Sequence, residues 1–160
     1  MLHTTYANKF LQLITAKEKS ISGTGKCYIG FASTHEPNAL GSAFTAAEPS
    51  TATYPSYKRI QVAITEALDY TDKMGTPSGG AVSNTSAFSS EQCLEEGGWP
   101  EFTHFGIFDC EAGGYPIASD VLRDPDGEVD ENGLYPETTM KVEHKQVAVF
   151  KVGSLQLTLG

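Results

Sequence analysis

The stretch that decides the fold is Thr103–Cys110, with the sequence THFGIFDC. Its aromatic and β-branched residues are typical of a β-strand. The turn-forming residues Glu111–Gly114 follow it, and Tyr115–Leu122 has the length of a returning strand. The sequence therefore predicts an antiparallel hairpin in this region.

Other segments with strand character lie on both sides of this hairpin. In Lys58–Ile64 the apolar residues alternate, so that Ile60, Val62 and Ile64 share one face. Val82 and Phe88 are the expected inward positions of another strand. The remaining predicted strands are Lys26–Ala32, Ala81–Ser89, Thr139–His144, Gln146–Lys151 and Leu155–Leu159. About seven or eight short strands at irregular spacing predict an all-β fold, either an antiparallel β-sandwich or a jelly-roll-like barrel.

The N-terminal region has a different period. Its apolar residues share one helical face, which Tyr6 extends: Phe10, Leu11, Leu13 and Ile14. Either Thr4 or Thr5 can cap the helix, and Gly23 ends it, so we predict a short amphipathic helix over about residues 5–17. A helix of this length is not stable alone, and we expect it to dock on a core or on a neighbour. We predict one domain over residues 1–160, with the β-sandwich over about residues 26–160.

Two connections are long for a compact domain. Ser33–Pro55 offers only Leu40 and Phe44 as apolar anchors, and we expect it to be a loop without regular structure. Asp124–Gly133 is rich in acidic residues and has two turn signals, so we expect it to be a loop as well. Because long loops in compact domains often have a functional role, we expect both segments to carry contacts with other molecules.

Charge and hydropathy exclude some classes of partner. The chain has 11 basic and 20 acidic residues, with a formal net charge of −9. Such a surface repels nucleic acid phosphates and anionic lipids. No apolar run approaches the roughly 18 residues of a membrane span, and no secretory signal pattern is visible. We therefore expect a protein made in a cytoplasm, with neither a nucleic acid nor a membrane as partner.

The residues that could carry chemistry do not form a motif. The three cysteines, Cys27, Cys93 and Cys110, lack the spacing of a zinc site and are expected to be thiols, although an intersubunit disulfide stays open. Neither Cys93 nor Cys110 lies in a catalytic signature with a histidine. The scattered carboxylates give no support for glycoside hydrolysis. We predict no enzymatic activity, no catalytic residue and no cofactor.

The acidic residues of this region do not complete the pattern of a calcium-binding EF-hand. A pattern starting at Glu128 continues with Asp130 and Asn132, but its twelfth residue is Thr139 instead of glutamate. We therefore predict a solvated loop and no metal ligand, while a cation site of another kind in Asp124–Asn132 stays open.

Several segments, in order along the chain, carry a resemblance to a known family. They are Tyr28–Thr34, Tyr57–Ile60, Gly79–Thr85, Trp99 leading into Thr103–Asp109, and Phe150–Leu159. This pattern resembles a family of small tailed-phage virion proteins usually described as tail-fibre or minor tail proteins. Ser33–Pro55 and Asp124–Pro136 are longer than the connections usual in that family. The resemblance implies a β-rich virion component without catalytic residues.

We therefore expect a structural protein of the virion, made in the cytoplasm of a host bacterium, that self-assembles into a trimer or ring and docks to other virion proteins. The alternatives are a capsid decoration protein, a neck or collar protein, or a module that binds a host-surface glycan through loop aromatics such as Tyr54 and Tyr57. A virion-borne hydrolase is a further class. The predicted assembly contacts are apolar or aromatic: Phe10, Leu13, Ile14, Leu40, Phe44, Tyr54 and Tyr57.

Overall fold

The computed structural model of this protein describes residues 26–33, 41–64, 73–76, 78–79, 81–124 and 126–158. These residues form one helix, α1 (Gly41–Ala47), and eight short strands. The strands are β1 (Lys26–Ala32), β2 (Ile60–Ile64), β3 (Ala81–Ser83), β4 (Phe88–Ser89), β5 (His104–Phe108), β6 (Ala118–Val121), β7 (Val149–Phe150) and β8 (Gln156–Thr158). All the strand pairs are antiparallel, so the predicted all-β class is confirmed.

The largest sheet has four strands in the order β2-β1-β5-β6. The predicted hairpin is confirmed, since β5 pairs with β6 and Ile107 lies opposite Ala118. Strand β1 pairs with β5, which places Phe31 opposite Phe105. The segments Lys26–Ala32 and Lys58–Ile64 thus form the strands expected of them.

The C-terminal strands form two further ladders, β3 with β8 and β4 with β7. The single strand expected over Ala81–Ser89 is interrupted at Asn84, whose side chain replaces strand hydrogen bonds. The Nδ2 of Asn84 donates to the carbonyl oxygen of Lys151 at 2.8 Å, and its Oδ1 accepts from the backbone N–H of Leu155 at 2.9 Å. Because Asn84 is buried, these bonds fix the point where the chain changes partner.

Alternate residues of β1 point to two different cores. Cys27, Ile29 and Phe31 belong to the larger core, which lies between the four-stranded sheet and the C-terminal strands. Other buried members of this core include Val62, Val82, Phe88, Trp99, Phe102, Ile107, Val142 and Leu155. Trp99 is therefore a core residue.

A smaller core lies on the opposite face of the same sheet, under α1. Gly30 and Gly106 are register partners on β1 and β5, and together they leave a depression in that face. The ring of Phe44 from α1 fills this depression, and a Cβ atom at position 106 would lie 2.9 Å from its Cζ. The depression therefore explains why α1 packs here.

Two local predictions are wrong. The segment Ser33–Pro55 contains α1 instead of being a loop throughout, because Phe44 has a buried packing site. Thr139–His144 is not a strand, and only Met140 forms an isolated bridge, with Phe102.

The N-terminal helix predicted over residues 5–17 lies outside the described residues. Within the described part of the chain, no helix has the length and apolar character needed to cross a membrane.

Candidate functional site

An open groove of about 710 Å³ lies between the four-stranded sheet and the C-terminal strands. We call it the apolar groove. Strands of the four-stranded sheet and of the C-terminal ladders contribute to it, and most of its lining is aromatic or aliphatic. Its main apolar residues are Ile29, Phe31, Phe88, Phe105, Met140 and Phe150. Rings pack along this lining, since the centroid of Phe150 lies 5.5 Å from that of Phe31 and 4.9 Å from that of Phe88.

Three large apolar side chains of the lining are exposed to water: Leu134 at 47%, Tyr135 at 40% and Val149 at 64%. Exposed apolar residues next to an open apolar groove are characteristic of surfaces that bind other proteins. The groove can therefore accept apolar side chains of a partner.

The segment Asp124–Glu137, which we call the acidic loop, supplies Leu134 and Tyr135 to the groove. A backbone bond joins the two ends of this loop: the N–H of Asp124 donates to the carbonyl oxygen of Pro136 at 2.9 Å. The guanidinium of Arg123 also donates to the carbonyl oxygen of Tyr135 at 2.9 Å. Although it is solvated, the loop thus has a defined conformation.

The side chain of Asp130 organises the turn within the acidic loop. Its Oδ1 accepts hydrogen bonds from the backbone N–H of Leu134 and of Asn132, both at 2.9 Å. These bonds, with that from Leu134 the strongest, lower the pKa of Asp130. Among the described residues, no group of three or more His, Cys, Asp or Glu side chains could hold a metal ion. The geometry of Asp130 is that of a turn stabilised by a carboxylate.

Charged residues are unevenly distributed between the lining of the groove and the acidic loop beside it. Asp120, Arg123 and Lys151 lie in its lining. The acidic loop beside them contains six acidic residues and no basic one: Asp124, Asp126, Glu128, Asp130, Glu131 and Glu137. A partner with apolar anchors and flanking positive charges would complement this surface.

The three cysteines are free thiols, and none is activated. Burial raises the pKa of Cys27 to about 12. Burial also raises the pKa of Cys93, and it raises that of Cys110 despite the opposing effect of Arg59. Because the thiolate is the nucleophilic form, none of the three is prepared for nucleophilic catalysis.

A second polar cluster joins the turn at Ser56 to the loop that precedes Trp99. The carboxylate of Glu95 accepts hydrogen bonds from the Ser56 hydroxyl, from the Ser56 backbone N–H at 2.9 Å, and from Trp99 Nε1 at 2.9 Å. Partial burial of the carboxylate alone would raise its pKa. The bonds from Ser56 and Trp99 outweigh this and lower the pKa of Glu95 to about 2. Such a carboxylate is a poor proton acceptor near neutral pH, so the cluster fixes a loop instead of forming an acid–base pair.

Glu95 should make the stability of the protein depend on acid pH. Because its pKa falls from 4.5 to about 2 on folding, its contribution is present above pH 4.5 and disappears as the pH falls toward 2. We expect the Glu95→Gln variant to unfold at lower urea concentration than the wild type at pH 6, with this difference shrinking progressively below pH 4.5. Urea titrations at several pH values measure the difference. Glu96→Gln is the matched control, because Glu96 is exposed, and an equal effect in both variants would contradict the assignment.

A buried ion pair lies under α1. Glu48 accepts two hydrogen bonds from the guanidinium of Arg59, at 2.8 Å from Nε and 2.7 Å from Nη2, and one from the Tyr57 hydroxyl at 3.0 Å. The side chains of Arg59 and Glu48 are 2% and 9% exposed. The guanidinium carbon also lies 3.4 Å from the centre of the Phe108 ring. The pair ties the end of α1 to the four-stranded sheet and faces away from the apolar groove.

The structure places the predicted assembly contacts in different environments. Phe44 is 0% exposed and Tyr57 is 3% exposed, so neither side chain lies on the surface of the chain. Tyr54 is half-buried and packs against the larger core. The other four, Phe10, Leu13, Ile14 and Leu40, lie outside the described residues.

Sequence reasoning did not single out Leu134 or Val149 as contact residues. The segment Asp124–Gly133 was expected to carry contacts, but Leu134, which follows it directly, was not identified. The sequence signal around β7 is the uninterrupted apolar run Val147–Phe150, of which only one alternating face can point to a core. In the structure Val147 and Val149 are exposed while Ala148 between them is buried. In a strand that packs on a core, the larger apolar residues usually face inward. Here the two valines face outward and the smaller alanine faces inward.

Comparison of the sequence with models of known protein families gave no match, and a search of curated proteins gave none either.

Proposed function

We propose that this chain is a structural protein of a tailed-bacteriophage virion, of the tail-fibre or minor-tail type, which acts by self-assembly and by docking to other virion proteins. The observation that carries the proposal is the apolar groove, with Leu134, Tyr135 and Val149 exposed beside it. Apolar surface of this kind is stabilised when a partner covers it. The resemblance of the sequence to small virion proteins supplies the biological context.

The arrangement of the sheets is part of the same proposal. We take the fold to be a β-sandwich, with the four-stranded sheet as one layer and the two C-terminal ladders within the other. In support of this arrangement, Ile29 and Phe31 of β1 share a core with Val82 of β3, Phe88 of β4 and Leu155, the residue before β8. A jelly-roll-like barrel is the alternative form of the same class.

A rigid subunit suits an architectural role. The hydrogen bonds of Arg123 and Asp130 hold the acidic loop before any partner arrives. A surface ordered in advance loses less conformational entropy on association, which favours binding. The same property would serve a capsid decoration or collar protein, which differs from a tail component in its position on the particle.

The decisive experiment is to purify the phage particles that encode this chain and to analyse them by mass spectrometry and electron cryo-microscopy. We expect the chain in the particle fraction, present as a trimer or ring in symmetric density. Density on the capsid or neck would favour the alternative structural roles. Absence of the chain from purified particles would overturn the proposal. Binding of the isolated protein to a host glycan on an array would favour the receptor-binding alternative instead.

A further inference from the structure

The charges of the chain are unevenly distributed between its N-terminal segment and the rest. Residues 1–25 contain three lysines and one glutamate, whereas residues 26–160 contain 8 basic and 19 acidic residues. The N-terminal segment is therefore positive on an otherwise strongly negative chain. Opposite charges of this kind favour contact between the two parts, within one copy or between copies.

The N-terminal segment also carries an apolar stripe that would fit a groove. Tyr6, Phe10 and Leu13 follow one another at spacings of four and three residues, and Ile14 widens the stripe. Amphipathic helices that bind apolar grooves present their anchors at this spacing. Of the three lysines, Lys9 lies beside the stripe on the predicted helix, and Lys17 and Lys19 follow the stripe at its C-terminal end.

The apolar groove matches the stripe in its apolar lining, while the charged residues of that lining are Asp120, Arg123 and Lys151. Phe31, Phe105 and Phe150 form an aromatic lining, and the acidic loop stands beside it. The positions of Leu134 and Tyr135 at the rim are fixed by backbone and side-chain hydrogen bonds. Apolar anchors could enter the groove while flanking lysines lie close to the carboxylates of the loop.

We infer that the apolar groove of one copy binds the N-terminal segment, residues 6–19, of a neighbouring copy. This inference rests on the proposed function, because it names the contact through which copies associate. The segment of each copy enters the groove of the next, and such a head-to-tail contact produces a ring when its rotation closes.

Cross-linking between two variants, each with one added cysteine besides the buried Cys27 and Cys93, tests the contact directly. Both full-length chains carry Cys110→Ser, which removes the half-exposed thiol; one also carries Leu13→Cys and the other Leu134→Cys. We mix them under mild oxidation and identify the mixed disulfide by mass spectrometry. We expect about tenfold more of it than with Leu94→Cys, because docking raises the effective concentration of the two thiols. Leu94 is the matched control, since it is 63% exposed and does not line the groove.

Substitutions in the segment give an independent measurement of association. We expect Leu13→Asp to raise the dissociation constant of self-association about 30-fold, because a central apolar anchor is lost. Light scattering over a range of protein concentrations measures this change. Gln12→Asp is its control, because it adds the same charge on the other side of the predicted helix and should change the constant much less.

The possible outcomes separate this inference from the proposed function. Equal cross-linking at Leu134→Cys and Leu94→Cys overturns the inference. It is also overturned if Leu13→Cys and Leu134→Cys placed in one chain form a disulfide within dilute monomers, since the segment would then occupy its own groove. A wild-type chain that oligomerises without the cross-link keeps the proposed function and excludes this contact. A chain that stays monomeric and is absent from purified particles overturns both.

Discussion

Replacing Glu48 by glutamine should lower the free energy of unfolding by about 3–5 kcal/mol, because it leaves the buried charge of Arg59 without its partner. The glutamine has nearly the volume of the glutamate, so the loss comes from charge and not from a cavity. The interior here is also crowded, since a Cβ atom at position 30 would lie 2.5 Å from Glu48 Oε1. Water therefore has little room to take the place of the carboxylate. Urea unfolding followed by tryptophan fluorescence gives the free energy, as Trp99 is the single tryptophan of the chain.

The double variant Glu48→Gln/Arg59→Met tests whether the stability lost in Glu48→Gln comes from the unpaired charge of Arg59. Removing both charges should recover part of the stability lost in Glu48→Gln, because no buried charge is left uncompensated. The exposed pair of Lys141 and Glu143, 2.9 Å apart with both side chains 51% exposed, is the matched control. Glu143→Gln should cost less than about 1 kcal/mol. If Glu48→Gln had as small an effect, the burial of the pair would not hold in solution.

The strands were the part of the fold that could be predicted, because their signals are local. Alternation in Lys58–Ile64 and the hairpin that follows Thr103 depend on neighbouring residues alone. These elements appear as β2 and as the β5–β6 pair, with Ile60 and Val62 buried. The two short strands that replace Ala81–Ser89 were hidden because the interruption depends on Asn84 and its distant partners Lys151 and Leu155.

The environment of Phe44 depended on contacts far apart in sequence. Its site is a depression made by Gly30 and Gly106, two glycines that face each other only after β1 and β5 have paired. A phenylalanine in a segment rich in small residues was therefore interpreted as a surface anchor. The partnership of Glu48 and Arg59 was hidden for the same reason, since the two residues lie in separate segments and meet only when α1 packs on the sheet.

The groove was predicted even less completely than the folded core. Its aromatic lining comes from strands whose alternation gives the face of each residue but not the gap between the four-stranded sheet and the C-terminal ladders. That gap depends on how the C-terminal ladders pack, which no local pattern specifies. The acidic loop was identified by composition, and only the structure shows that Asp130 and Arg123 hold Leu134 and Tyr135 at the groove.

Phe44→Ala should lower the free energy of unfolding by about 3–5 kcal/mol, as expected when a buried phenylalanine is removed and its cavity stays open. The ring is 0% exposed, and its centroid lies 5.7 Å from that of Phe108 at an angle of 61°, an edge-on arrangement that adds to the loss. Leu94→Ala is the control, because its side chain is 63% exposed and its removal should change the free energy of unfolding by less than about 0.5 kcal/mol.

The same variant distinguishes the buried position of Phe44 from the assembly contact that the sequence suggested. A core residue changes the urea midpoint of unfolding at every protein concentration, while a contact residue changes the concentration dependence of the molar mass. We expect Phe44→Ala to lower the midpoint and to leave the self-association of the folded fraction unchanged, since the groove lies across the sheet from α1. A variant with wild-type stability but a lower molar mass would show instead that Phe44 leaves its depression to contact a neighbouring copy.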